Sequence, residues 1–174
     1  MTRRLSTLGT VFFSILAVPL AGPASLAQDD AFTTPAGQQV TLSSMRSKVV
    51  ILFFSGIQDP QCREEFKALN SLGERFTGKP VSFYWISVNP QGAVTNDRLS
   101  APCGPVGSVV VLRDSGQVVF KRLIKNPSQI PTVVILDQKG QVYGDPIGGF
   151  NPDSDFVNTL AGMIDSLLAQ QKSS

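Results

Sequence analysis

Histidine is absent from the 174 residues of this chain, and that one absence removes several chemistries together. No Ser-His-Asp triad, no Cys-His nucleophile pair and no imidazole metal site can be built. Cysteine is nearly as scarce, with Cys62 and Cys103 only. Two thiols without an imidazole fall short of the four ligands of a structural zinc site, so we expect no metal and no cofactor. A sustained charge excess is also missing. The whole chain carries 15 Lys+Arg and 13 Asp+Glu; Arg3 and Arg4 lie at the extreme N-terminus, and without them the balance is 13 against 13. A nucleic-acid footprint needs a clustered basic face, so no nucleic-acid partner is expected. There are no internal repeats, no low-complexity segment, and no apolar run long enough to span a bilayer comfortably.

The first 27 residues have an order of their own: Arg3 and Arg4, an apolar run from Leu8 to Leu20, then Ala21-Gly22-Pro23 and the small-residue site Ser25-Leu26-Ala27. This is the layout of a secretory signal peptide. The expected mature protein is residues 28–174, 147 residues, one domain large enough to bury a core without staples. It would be exported, periplasmic or secreted; a retained membrane anchor is the alternative. No cysteine directly follows the apolar run, which excludes a lipid anchor at that site.

Beyond residue 28, β and α patterns alternate, the signature of an α/β sheet flanked by helices. Val49 to Ser55 is a continuous apolar run, as in a central strand covered on both faces. A helix is expected from Asp59 to about Arg75, with Cys62, Phe66, Leu69 and Leu72 on one face. Val81 to Val88 reads as a second, parallel strand, followed by a loop from Asn89 to Gly107 that holds Cys103. A strand from Val109 to Leu112 and a short helix or strand through Leu123 come next. Thr132 to Asp137 and Gln141 to Gly144 read as a hairpin. The last helix has Asn151 as N-cap, Pro152 at its first position, and a stripe of Phe156, Leu160, Met163, Ile164, Leu167 and Leu168. Tyr84 and Trp85 are simplest as core residues.

Two segments carry a family resemblance. VVILFFSGIQDPQCREEFKAL, from Val49 to Leu69, resembles the strand, turn and redox helix of exported thioredoxin-fold redoxins, the group that includes cytochrome-c-maturation oxidoreductases and, more distantly, peroxiredoxins. QIPTVVILDQKGQVYG, from Gln129 to Gly144, is similar to their cis-proline loop, strand and turn, and Ala31 to Val50 looks like the family's opening segment. The resemblance implies a thioredoxin-like fold, a central mixed sheet flanked by helices, and a thiol-disulfide or antioxidant redox role toward protein thiols or disulfides, with an envelope redox partner. A copper-delivery protein of this fold, which needs two cysteines and a histidine, is excluded.

At the helix start the chain departs from the family. Asp59-Pro60-Gln61-Cys62 stands where Cys-Pro-x-Cys is expected, so Asp59 occupies the nucleophile's seat as a helix cap. One alignment places Cys62 at the second, resolving cysteine and needs an extra residue within Ser55 to Gln58; the ungapped one turns both cysteine positions into Gln58 and Gln61. The peroxiredoxin pattern, a Pro and then a Thr or Ser three residues before its cysteine, is not kept: the positions hold Ser55 and Asp59. A helix start lowers the pKa of Cys62 while the Asp59 carboxylate opposes that shift.

Cys103 leaves the second strand at the carboxyl end of the sheet, where the first helix also begins. An exported compartment permits a disulfide there, and Cys62 with Cys103 is the expected catalytic pair. Ile130-Pro131 matches the family's cis-proline, which leaves the preceding backbone free to bind an extended substrate. Three readings stay open: an oxidoreductase or peroxiredoxin-like enzyme using Cys62 and Cys103, a redox-inactive module binding extended polypeptide at Ile130-Pro131, and a single-thiol protein forming mixed disulfides through Cys62.

Overall fold

The computed structural model describes residues 30–125, 129–151 and 155–170; the segment expected to be a leader and residues 152–154, where the last helix is expected to begin, lie outside the described residues. Seven strands form one sheet: β1 (Ala31–Thr33), β2 (Gln39–Thr41), β3 (Val49–Ser55), β4 (Val81–Ser87), β5 (Val110–Arg113), β6 (Thr132–Leu136) and β7 (Ile147–Gly148). Their spatial order is β2-β1-β5-β4-β3-β6-β7. The sheet is mixed, because β3 runs parallel to β4 and antiparallel to β6.

Every residue of β3 is buried, and its side chains alternate between two cores as the pleat requires. Val49, Ile51 and Phe53 join the core under α1 (Cys62–Arg75) and α4 (Phe156–Gln170). Val50, Leu52 and Phe54 join the core under α3 (Val118–Leu123). A strand sandwiched this way has no polar face, which explains its unbroken apolar sequence. The stripe on α4 is the expected one: Leu160, Ile164 and Leu167 are buried, with Phe156, Met163 and Leu168 packed against the same core.

Two local elements differ from the sequence expectation, and a third settles an expectation that allowed either helix or strand. The segment Gln141 to Gly144 is not a strand. It makes a single bridge, Leu136 to Val142, and the last strand is instead β7, whose Ile147 pairs with Val133. The reason is the turn: the Asp137 carboxylate accepts the N–H groups of Lys139 and Gln141, and Gly144 at φ 69° turns the backbone off the ladder. The loop from Asn89 to Gly107 contains a short helix, α2 (Asn96–Ser100), capped by Thr95, whose hydroxyl accepts the Arg98 N–H at 3.2 Å. The stretch before Leu123 is helical because buried Asp114 accepts the N–H groups of Val119 and Phe120, a side-chain cap at the start of α3.

Candidate functional site

The site lies where β3 and β4 end, beside the start of α1. The expected helix from Asp59 starts three residues later, at Cys62. Asp59 folds its carboxylate onto the N–H of Gln61 at 2.8 Å and its carbonyl accepts the N–H of Cys62 at 3.1 Å. Pro60 has no N–H to offer. The aspartate thus organises the turn that feeds the helix, and Gln61, the capping residue, makes no side-chain cap bond. Ahead of this turn the N–H of Ile57 donates to Asn89 Oδ1 at 3.1 Å, and the Ser87 hydroxyl donates to the same oxygen at 3.0 Å, tying the two strand ends together.

Glu65 is the residue that the sequence reading passed over. It sits one turn beyond Cys62 on α1 and is completely buried. The Ser55 hydroxyl donates to Oε1 at 3.0 Å and the Trp85 indole N–H to Oε2 at 2.9 Å. Burial pushes its carboxyl up from the ordinary 4.5 to about 7; the bonds from Trp85 and Ser55 work against this rise, and the charge of Asp59 adds to it. Ser55, one of the two positions compared with the peroxiredoxin pattern, is therefore committed to Glu65. A helical wheel carried the signal, since Cys62, Glu65, Phe66, Leu69 and Leu72 share a stripe.

Cys103 reaches this site from the loop between α2 and β5. Cys62 and Cys103 form a disulfide, with their Cα atoms 5.8 Å apart and 41 positions apart in sequence, inside the usual Cα range for such bonds. A second clamp holds the far end of the loop, where the Ser108 N–H donates to Asn70 Oδ1 at 3.0 Å. Two glycines permit the close approach. A Cβ on Gly73 of α1 would run into the Ser108 hydroxyl, and one on Gly107 into the Asn70 side chain. Among the described residues no group of three or more His, Cys, Asp or Glu is placed to hold a metal ion.

The Ile130-Pro131 peptide bond is cis. Thr132, the next residue, pairs with Phe54, so Pro131 stands at the end of the sheet from which the turn to Cys62 departs. Pro131 is buried, whereas Ile130 is 43% exposed. The Pro131 carbonyl accepts the N–H of Gly149 at 3.1 Å; no hydrogen bond joins the Ile130 backbone to another described residue.

A mixed sheet with a disulfide at the start of its first long helix and a cis-proline at the same end defines a thioredoxin-like protein. The AhpC/TSA family matches residues 24–144, and the chain belongs to that family. The fold is similar to that of dsbF from MTB, solved in mixed oxidized and reduced forms (19% identity, TM-score 0.63, covering 80% of this chain and 95% of that one). It is also similar to a secreted Mycobacterium tuberculosis disulfide oxidoreductase homologous to E. coli DsbE (18% identity, TM-score 0.60, 79% and 96% covered). The exposed lipoprotein thioredoxin Etrx1 of Streptococcus pneumoniae strain TIGR4 superimposes comparably (16% identity, TM-score 0.60, 78% and 99% covered). A comparison with curated protein sequences finds no match. Among the described residues no helix is long and apolar enough to cross a membrane.

Proposed function

We propose that this is an exported thiol-disulfide exchange protein whose working pair is Cys62 with Cys103. The observation that carries this reading is the disulfide between them, formed at the first residue of α1 although the expected first cysteine is Asp59. A partner thiolate attacks one sulfur, forms a mixed disulfide and releases the other as a thiolate. A second partner thiol attacks the mixed disulfide, so two thiols become one disulfide and the protein disulfide becomes two thiols. Two electrons and two protons pass to the protein, and the reverse sequence oxidises it. Glu65, buried one turn along α1 from Cys62 and held by Ser55 and Trp85, has its carboxyl pushed up to about 7 by burial, so near neutral pH it adds less negative charge beside the pair than an ordinary carboxylate. The substrates are protein thiols or disulfides, with a redox partner in the cell envelope.

Equilibration of the native protein in glutathione redox buffers, trapping with N-ethylmaleimide and mass mapping test this. The expected result is a reversible, two-thiol transition of Cys62 and Cys103. A disulfide that no thiol reduces without unfolding overturns the proposal. A second reading, a module that binds extended polypeptide, draws support from Ile130, exposed beside buried Pro131 with its backbone unpaired among the described residues.

A further inference from the structure

The two sulfurs are unequally placed. Cys62 is 3% exposed and belongs to the core beneath α1, whereas Cys103 is half-buried on a loop. Two clefts open beside the bond. The larger, about 580 Å³, lies between the outer face of α1 and the 103–105 turn; Arg63, Lys67, Asn70, Cys103 and Pro105 line it, and Cys62 does not. The smaller, about 410 Å³, is lined by both cysteines, Asp59, Arg63, Glu64 and Arg98. Cys103 therefore faces both clefts and Cys62 one.

Basic side chains flank both clefts. Arg63 and Arg98 make no ion pair with a described residue, so both guanidinium groups remain available to an incoming thiolate. Of the two carboxylates in the smaller cleft, Glu64 is held by Lys67 at 2.7 Å, and Asp59 is bound to the turn before α1. Attack at a disulfide goes to the accessible sulfur and expels the other. The expelled thiolate on Cys62 would form at the first residue of a helix, where the dipole favours negative charge and the nearby Asp59 carboxylate, held by the Gln61 N–H, works against it.

Resting on the exchange reading above, we propose that the disulfide opens at Cys103, the partner-facing sulfur, and that Cys62 is the buried leaving and resolving sulfur. An incoming thiolate bonds to Cys103 Sγ, the Sγ–Sγ bond breaks, and its electron pair leaves on Cys62 Sγ. When a reduced protein meets a partner disulfide, Cys103 attacks first and Cys62 then displaces the partner. A loop cysteine carries the outward role, and the helix cysteine the inward one.

The oxidised native protein, mixed with reduced glutathione and quenched with N-ethylmaleimide within the first turnover, tests this by peptide mapping. Glutathione is expected on Cys103 and maleimide on Cys62, in an excess on the order of tenfold over the converse. The single variants give a second readout: reduced Cys62→Ser should react with glutathione disulfide roughly tenfold faster than reduced Cys103→Ser. Glutathione on Cys62, or equally on both sulfurs, overturns this assignment and leaves the exchange reading standing. No exchange at either sulfur overturns both.

Discussion

Replacing Glu65 with glutamine separates the cost of a buried charge from the value of its hydrogen bonds. The glutamine oxygen still accepts from the Trp85 indole, and its amide donates to the Ser55 hydroxyl, so the two contacts at 2.9 Å and 3.0 Å are retained in kind. What disappears is ionisation. The unfolded carboxyl loses its proton near 4.5 and the folded one only near 7. Between those values the folded state binds more protons, so the stability contributed by Glu65 is fully present below 4.5 and is lost as pH rises to 7. At 1.36 kcal/mol per pH unit this amounts to about 3 kcal/mol. Urea unfolding of the oxidised protein at pH 4.5 and pH 8.5 is the assay. Glu65→Gln should be close to wild type at the lower pH and more stable at the higher, by up to about 3 kcal/mol. Asp114, whose carboxyl burial also pushes up, adds the same trend to both proteins and cancels in the difference. A gap between the two proteins that does not change with pH would refute the reasoning.

Reducing the Cys62–Cys103 bond opens a loop of 41 positions, which the chain-entropy relation values at about 4 kcal/mol; denaturation with and without a reductant should show the loss. Gly107 adopts φ +59° and a Cβ there would strike Asn70, so Gly107→Ala should lower stability by about 1 kcal/mol or more, read as a drop in the urea midpoint. Asp59→Cys combined with Cys103→Ser puts the only partner for Cys62 back at the helix start, and insulin disulfide reduction should rise above that of Cys103→Ser alone; an inert double variant would favour the ungapped alignment. Mass spectrometry of the envelope fraction should find Gln28 as the N-terminus, and an intact Met1 in the cytosol would count against export.

Much of the frame was legible because burial writes itself into sequence. The run Val49 to Ser55 has no polar face to display, and α4 repeats apolar residues at helical spacing; both stand where expected. The pairing of Cys62 with Cys103 was an expectation that rested on the even cysteine count, an export signal and the loop after β4 sharing one end of the sheet with the start of α1. Glu65 falls on the apolar stripe of α1, but an acid in the first turn of a helix is also what the dipole favours, and its contacts with Ser55 of β3 and Trp85 of β4 are what show it as a buried, partnered carboxyl. The two-residue β7 and the five-residue α2 are too short to carry a period. Neither the Asn70 clamp nor Gly73 has a sequence signature, because each answers to a loop folded back from Ser108.

The disulfide makes α1, β4 and α2 a covalent ring within an otherwise linear polymer. Pulled from its two ends, the oxidised chain would stop short, since the 41-position segment between the sulfurs bears no load while the bond holds. Reduction would add that slack, roughly 140 Å of contour at 3.3–3.6 Å per residue. Thiol chemistry at one end of the central strands therefore sets how far this protein stretches when it is threaded through a pore or gripped by an unfolding machine.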